Sequence, residues 1–484
     1  MKPLKSALFI AGVFLVLLLT FFFMPEEGLS LSLVRLRNPL PAGEVKKSVA
    51  ALFTPENIPP RQREGKHTIR GTTSGGTKAE GKEKASAEAV PLTFSDSLLR
   101  AVPSIEMSDT TRLLLYHLLH EMDSLRARRQ SMHILYYGDS QIEGDRITSV
   151  LRDTLQARFG GGGPGFLLPV MTVPFTASFV TEPSAGWRKV NNYGTRSGFR
   201  QGIPFGLAGT FSLAGDSTDD GTEESVHCRI ALHKFAPRRI REFNRLELWL
   251  YAPRQGPAVK ITRDGMVKEY AALPGGELLC VRVPLDGEGR KIKLDFRMRS
   301  PFAVEGIILE DSVGVGVDNI PLRGRPFMMF SRCDAATVRT MYDSLNVQMV
   351  VLQFGLNVAV GSMRDARVYR HTLRRELRWL RQTFPGLFVL VVGVTDMGGD
   401  DPALQERLQR IREEQRLTAL AEGCAFWDAY LAMGGERAMA RWAAQQPSLA
   451  RPDQAHMSLE GSQLFARMLL KALMEDYQTY THGL

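Results

Sequence analysis

Cysteine is scarce in this chain of 484 residues, which contains only Cys228, Cys280, Cys333 and Cys424. Their spacing forms neither a zinc-ligand pattern nor a C-x-x-C pair, which argues against a zinc-ribbon protein and a dithiol oxidoreductase. Cys228 and Cys280 lie in the same segment of the chain. They are compatible with a disulfide, which an exported protein permits, and equally with two buried free thiols.

A strong charge of one sign is also absent. The 61 Lys and Arg residues exceed the 52 Asp and Glu residues by nine, a modest excess at this length. No basic stripe is interleaved with aromatic residues, so the sequence predicts a solvated basic surface and no nucleic-acid partner.

Two patterns that resemble ligand sites are incomplete. The glycine run Gly160–Gly165 follows a predicted helix and lacks the Gly-Lys-Ser/Thr ending of a phosphate loop, which favours a loop at the rim of a site. His117 and His120 lack a third metal ligand in their neighbourhood. We therefore predict no metal and no cofactor.

One long hydrophobic run is present, from Ala7 to Met24, and Lys2 and Lys5 precede it. Bulky residues follow the run where a signal peptidase would need small ones. We expect a transmembrane signal anchor in residues 1–26, with the anchor in the cell inner membrane and the rest of the chain in the periplasm. The alternative is a cleaved signal and a secreted protein.

The rest of the chain changes character three times. Residues 27–92 are poor in apolar side chains and predict a disordered linker. Residues 93–170 and 301–484 alternate strand and helix patterns, which predicts an α/β domain whose parallel sheet is covered on both faces. Between them, residues 171–300 contain short alternating strands without a long helix. That pattern predicts a β-sandwich inserted into the α/β domain.

Ser140 follows an apolar run, Ile134–Tyr137, that is typical of a buried strand. Gly138-Asp139 ends this strand, and a helical pattern begins near Asp145. A serine between a strand and a helix is close to unpaired backbone N–H groups, so it can attack a carbonyl while amides hold the oxyanion.

A base for this serine is found near the C-terminus. Asp453 precedes His456 by three residues on a predicted turn, and a carboxylate so placed can orient an imidazole. Asn357 follows the predicted strand Val350–Phe354, at the end of a sheet where open α/β folds bind ligands. A second Gly-Asp-Ser sequence ends at Ser217, but an acidic loop follows it. We therefore do not expect Ser217 to be a nucleophile.

The three segments Gly138-Asp139-Ser140, Gly355-Leu356-Asn357 and Asp453-x-x-His456 together resemble the SGNH (GDSL-type) hydrolases in residues and in order. The resemblance implies a three-layer α/β/α fold. It also implies that Ser140 is the nucleophile, His456 the base and Asp453 the acid that orients it. Asn357 and the Ser140 amide would stabilise the oxyanion.

The resemblance also implies a glycine amide in the oxyanion hole. In the segment Glu310–Gly316 we favour Gly316, with Gly314 as the alternative. Two positions depart from the family pattern without removing a reacting group. Gln141 replaces the Leu of the GDSL motif, and Val358 follows Asn357 where the family usually has Asp.

The resulting hypothesis is an extracytoplasmic serine esterase that removes O-acetyl groups from a polysaccharide such as peptidoglycan. The inserted sandwich is similar to carbohydrate-binding modules, so it is either glycan-binding or a structural lid. Trp187, Tyr193 and Trp249 are candidates for stacking on sugars or for the sandwich core. The alternatives are an acyltransferase with the same triad and a non-catalytic carbohydrate-binding protein of the envelope. The oligomeric state is not predicted.

Overall fold

The computed structural model describes the chain from Phe94 to His482, except for 194–201, 216–221, 286–288, 362–365 and 400. Before Phe94 it describes only two short strands, Leu29–Leu31 (β1) and Val34–Leu36 (β2), which pair antiparallel. The predicted anchor, the rest of the predicted linker and Ser217 lie outside the described residues. Within the described part of the chain, no helix has the length and apolar character needed to cross a membrane.

Sixteen further strands follow in the described residues. In chain order they are Ser131–Gly138 (β3), Gly165–Leu167 (β4), Phe179–Pro183 (β5), Trp187–Asn191 (β6), Thr210–Ala214 (β7), Glu224–Leu232 (β8), Arg245–Tyr251 (β9), Ala258–Arg263 (β10), Met266–Tyr270 (β11), Leu278–Pro284 (β12), Lys291–Met298 (β13), Phe302–Glu310 (β14), Gly314–Pro321 (β15), Val347–Gln353 (β16), Phe388–Val392 (β17) and Ala425–Trp427 (β18).

The helices of this part of the chain are mostly amphipathic, and their apolar faces are buried. In chain order they are Phe94–Arg100 (α1), Asp109–Arg128 (α2), Thr148–Phe159 (α3), Arg238–Arg241 (α4), Ala335–Ser344 (α5), Leu356–Val360 (α6), Ala366–Thr383 (α7), Pro402–Ala421 (α8), Ala429–Ala432 (α9), Ala438–Ala443 (α10) and Leu459–His482 (α11).

The central sheet has five parallel strands in the order β15-β3-β16-β17-β18. Successive side chains of a strand point to opposite faces, and β3 shows this directly. Ile134 and Tyr136 belong to a hydrophobic cluster that includes residues of α1, α2, α3 and α11. Leu135 and Tyr137 belong to a second cluster with residues of α5, α7 and α8. The sheet is thus covered by helices on both faces, and the α/β/α layers predicted from the sequence are confirmed.

The insertion consists of two antiparallel sheets, ordered β11-β10-β13-β8-β5 and β12-β9-β14-β7-β6, with β4 paired to β14. Their inner faces share one hydrophobic cluster. The sandwich is wider in sequence than residues 171–300, because β4 precedes that segment and β14 follows it. The predicted boundary at residue 301 placed β14 in the α/β domain. A fully buried apolar run fits either sheet equally well, so its sequence could not decide between them.

The sandwich and the central sheet pack as one compact unit. Trp249 of β9 lies in the same hydrophobic cluster as Leu135 and Tyr137 of β3. Trp187 packs edge-on against Phe296 and Phe302 inside the sandwich. These two tryptophans are therefore packing residues, which was one of the two roles the sequence left open for them.

A fully buried histidine joins the two parts at the start of the central sheet. His133 of β3 bonds Asp318 of β15 through Nδ1 and Glu310 of β14 through Nε2, each at 2.6 Å. Burial lowers the pKa of His133, but the two carboxylates outweigh burial and raise it well above its ordinary value. An imidazolium between two carboxylates thus connects a sandwich strand to two strands of the catalytic sheet.

Candidate active site

The loop after β3 is shaped by close packing. A side chain on Gly138 would come within 3.0 Å of the Gln353 carbonyl and 2.9 Å of Ile142, so glycine is required there. The Asp139 carboxylate accepts a hydrogen bond from Gln141 N at 3.0 Å and caps a short 3₁₀ turn that begins at Ser140. The helix predicted from Asp145 begins only at Thr148, because Gly144 and Asp145 have positive φ.

Ser140, His456 and Asp453 form one hydrogen-bonded chain. Ser140 Oγ lies 2.8 Å from His456 Nε2, and His456 Nδ1 lies 2.9 Å from Asp453 Oδ2. The other oxygen of Asp453 accepts the backbone N–H groups of Ala455 and His456, each at 2.9 Å. Burial alone would raise the pKa of Asp453, but these bonds and the nearby His456 lower it to about 2. The carboxylate is therefore ionised throughout the neutral range.

Two side chains that the sequence analysis did not assign to the site connect the serine loop to the histidine loop. Gln141 Nε2 donates to the Ala455 carbonyl at 2.6 Å, and Arg146 Nη1 donates to the Met457 carbonyl at 3.0 Å. The substitution of Leu by Gln at position 141 therefore adds a hydrogen bond between the two loops. In the sequence, only the departure of Gln141 from the GDSL motif could have pointed to this contact.

Asn357 lies in α6, which follows β16. Gly355 between them has φ +136, a conformation that favours glycine. Asn357 Nδ2 lies 3.3 Å from Asp139 Oδ2 and 3.3 Å from the Arg325 carbonyl, so both contacts are long for hydrogen bonds. Burial raises the pKa of Asp139 to about 6, although the bonds from Gln141 and Asn357 and the nearby His456 oppose this.

Two carboxylates of the serine loop are buried, although acidic residues in a loop are usually exposed to solvent. Glu143 is 5% exposed and pairs with Arg323, whose Nε lies 2.9 Å from Oε2. Asp145 is 1% exposed and binds Arg152 through both oxygens, at 2.8 and 3.0 Å. Arg323 is 180 positions away from Glu143, so the sequence around Glu143 does not predict this pair.

A groove of about 800 Å³ opens beside Ser140, His456 and Asp453. Residues of α3 and α11 line this groove. Phe175 and Phe235, which come from segments next to and within the inserted sandwich, line it as well. The insertion therefore contributes to the surface that a substrate of Ser140 would meet.

No group of side chains suited to a metal ion occurs in the described part of the chain. His120, one of the two histidines considered above, has Nδ1 3.2 Å from the Tyr480 hydroxyl. All four cysteines are free thiols. Cys228 and Cys280 are therefore not joined by a disulfide, the first of the two possibilities left open by the sequence.

No protein-family model and no curated protein matches the sequence. Among solved structures, a peptidoglycan O-acetylesterase is similar with a TM-score of 0.59 and 21% identity, over 76% of this chain and 96% of that one. This chain therefore shares the fold of that structure, a fold of the kind that the resemblance to the SGNH hydrolases implied. A family two carbohydrate esterase from Clostridium thermocellum (12% identity, 57% of this chain and 99% of that one) has a TM-score of 0.26. A putative GDSL-like lipase from Parabacteroides merdae also has a TM-score of 0.26, with 15% identity over 33% of this chain and 73% of that one.

The strand register corrects one residue of the predicted site. Gly316 pairs with His133 near the start of β3, whereas Ser140 follows the end of that strand. Pro321, the partner of Gly138, is five positions farther along β15, which is about 16 Å along the strand. Gly314 lies farther away still. The apolar run before the segment Glu310–Gly316 is β14, which belongs to the sandwich and not to the central sheet.

Another glycine lies at the end of the central sheet where Ser140 follows β3. After β15 the chain turns through Leu322–Arg325, where Leu322 N donates to the Gly138 carbonyl at 2.7 Å and Arg325 N to the Leu322 carbonyl at 3.1 Å. Gly324 in this turn has φ +72, and a side chain there would meet no atom within 4 Å. In the sequence, its position shortly after the apolar run of β15 could have drawn attention to Gly324.

Proposed function

We propose that this protein is a serine esterase that removes O-acetyl groups from a polysaccharide such as peptidoglycan. The observation that carries the proposal is the chain of hydrogen bonds from Ser140 through His456 to Asp453, beside an open groove. The similar solved peptidoglycan O-acetylesterase supports the choice of substrate.

In the first step Ser140 Oγ forms a bond to the acyl carbon, and its proton moves to His456 Nε2. The ionised Asp453 stabilises the imidazolium that results. His456 then gives the proton to the sugar oxygen as the bond between that oxygen and the acyl carbon breaks. A water molecule next attacks the acyl-serine and loses a proton to His456. The proton returns to Ser140 Oγ as acetic acid leaves.

Three donors are proposed for the oxyanion. The Ser140 amide begins the 3₁₀ turn. Asn357 Nδ2 makes only long bonds in the absence of a substrate, so an oxyanion can replace one of them at little cost. We assign the third donor to the amide of Gly324, which replaces Gly316 in this role because Gly324 lies in the turn bonded to Gly138.

Export to the periplasm through residues 1–26 remains a proposal that rests on the N-terminal hydrophobic run. It is tested by fractionating cells that express the tagged full-length chain. Full-length protein recovered only in the soluble exported fraction would contradict the anchor.

The enzymatic proposal is tested by acetate release from O-acetylated peptidoglycan, acetylated xylan and a soluble acetyl ester, with Ser140→Ala as the control. We expect release from peptidoglycan by the wild type and none above background by Ser140→Ala. Acetylation of an added sugar without free acetate would identify an acyltransferase instead. Glycan binding without any ester cleavage would identify a binding protein.

A further inference from the structure

Two aromatic rings stand out on the wall of the catalytic groove. Phe235 is 86% exposed and Phe175 is 68% exposed, the highest values among the large hydrophobic side chains that the structure describes. Exposed apolar residues scattered singly are ordinary on protein surfaces. Here the two most exposed ones lie in the same groove as Ser140 and His456.

Backbone hydrogen bonds hold both rings in exposed positions. Phe235 lies in a turn closed by the bond from Ala236 N to the His233 carbonyl, at 3.2 Å, and His233 N bonds the Ser178 carbonyl at 2.9 Å. The segment of Phe175 is fixed to the serine loop, since Ala177 N donates to the Gly144 carbonyl at 2.6 Å. The backbone that carries each ring is therefore fixed beside the groove.

Polar side chains line the same groove. Ser149, Asp153 and Thr154 of α3 and Gln463 of α11 contribute hydroxyl, carboxylate and amide groups to it. A groove that offers both aromatic rings and polar groups matches a pyranose ring. Such a ring has an apolar face of C–H groups and an edge of hydroxyl groups.

A long acyl chain fits this groove less well than a sugar does. An acyl chain gains most when its whole surface is removed from water, which requires an enclosed apolar pocket. Rings as exposed as Phe175 and Phe235 cover one side of a ligand and leave the other side in solvent. Stacking against one face of a sugar needs no more than that.

We propose that Phe175 and Phe235 form a subsite that binds a sugar ring of the glycan, next to the residue whose ester reaches Ser140. This inference rests on the proposed function, because it assumes that the polymer enters the groove beside the triad. It places the sugar contacts of the inserted segment at the groove and not at Trp187 or Trp249, which are packed in cores.

The test compares Phe175→Ala, Phe235→Ala and the double variant with the wild type, on O-acetylated peptidoglycan and on a soluble acetyl ester. Each single variant should lose about 3- to 10-fold in kcat/KM on the polymer, and the double variant about 10- to 100-fold, mostly through KM. The loss on the polymer should exceed that on the soluble ester by at least about tenfold in the double variant. Phe235→Tyr, which keeps a ring, should retain most of the polymer activity.

Leu113→Ala is the matched control, because Leu113 is 60% exposed on α2 and lies outside the groove. It should change neither activity. Equal losses on both substrates, or no loss on the polymer, would overturn the subsite while the esterase assignment stands. A loss that grows with acyl length along acetyl, butyryl and octanoyl esters would also overturn it, since the rings would then hold the acyl group.

A binding measurement separates the subsite from the proposed function. In the Ser140→Ala background, sedimentation with insoluble peptidoglycan should show at least about tenfold weaker binding after both phenylalanines are replaced. If the wild type cleaves only the soluble ester, the proposed substrate is wrong, and this measurement alone decides the subsite. Binding that is undetectable, or unchanged by the double substitution, would overturn it.

Discussion

Ser140 Oγ lies 2.8 Å from His456 Nε2, although the two residues are 316 positions apart in the chain. The contact requires the end of β3 and the loop before α11 to meet at the same edge of the sheet. Gln141 and Arg146 fix this meeting with side-chain bonds to the histidine loop. Activity should therefore depend on the residues that join the loops as well as on those that react.

The reacting residues should rank by what each one supplies. His456→Ala should abolish nearly all turnover, as Ser140→Ala does, because a serine hydroxyl is a poor nucleophile without its base. Asp453→Ala should lower kcat by about 10⁴ or less, and Asn357→Ala by about 10²–10³. Rates of hydrolysis of a soluble acetyl ester give this ranking.

Ser217→Ala is the control for that series and should keep the wild-type rate. If Ser217→Ala were inactive while Ser140→Ala hydrolysed the ester normally, the nucleophile would be the wrong serine. The proposed role of the hydrogen-bonded chain would then fail as well.

Replacing Gln141 by Leu should reduce catalysis without unfolding the protein. Gln141→Leu removes the bond to the Ala455 carbonyl, so the histidine loop is held less firmly against Ser140. We expect kcat to fall by about 10-fold, since small misplacements of catalytic groups have large effects, while KM stays constant. Gln156→Leu is the matched control, because Gln156 is also buried but bonds Gly163 away from the triad. A similar fall in kcat for both variants would refute a positioning role for Gln141.

The two candidate glycines should respond to alanine in opposite ways. In Gly324→Ala the side chain enters open space, but φ +72 is strained for alanine, which would shift the proposed oxyanion donor. We expect about a 10-fold lower kcat with little change in Tm. In Gly316→Ala the new methyl group would lie 2.7 Å from the His133 ring, so Tm should fall while the folded fraction keeps its kcat. The reverse pattern would restore Gly316 to the oxyanion hole.

Glu305 should make stability depend on pH in a direction that a substitution can reverse. Burial raises its pKa to about 8, despite the bond from Gly206 N at 3.0 Å. As pH rises above about 4.5, the unfolded chain releases this proton while the folded protein retains it, so the folded state loses up to about 1.4 kcal/mol per pH unit until about pH 8. Glu305→Gln does not titrate. Its Tm relative to the wild type should therefore increase from pH 5 to pH 8.

Glu310→Gln provides a comparison of opposite sign. Burial alone would raise the pKa of Glu310, but His133 and Arg245 outweigh burial and lower it. Its ionised form therefore stabilises the fold above the unfolded pKa, and that contribution is lost as pH falls. The deficit in Tm of Glu310→Gln should be largest near neutral pH and should shrink in acid. Parallel pH profiles for the two variants would contradict at least one of the two assignments.

The sequence predicted the elements that carry strong local patterns. The apolar run of β3 and the break at Gly138-Asp139 were expected, as were the α/β layers and the sandwich. Gly316 was misplaced because β14, the strand before it, could not be assigned to a sheet from the sequence. A strand buried on both faces shows no alternation of apolar and polar residues. The buried ion pairs Glu143–Arg323 and Asp145–Arg152 were missed, since nothing in the local sequence distinguishes a buried carboxylate from a solvated one.

The cluster of His133, Glu310 and Asp318 has a consequence for the choice of substrate. It joins the sandwich to the catalytic sheet at the edge opposite Ser140, and the shared hydrophobic cluster around Trp249 reinforces that joint. A sandwich held in this way should keep a constant distance between Phe235 and Ser140. If the proposed subsite holds a sugar ring, that distance decides how many sugar units reach from the aromatic rings to the serine. We then expect the enzyme to discriminate short oligosaccharides by their length.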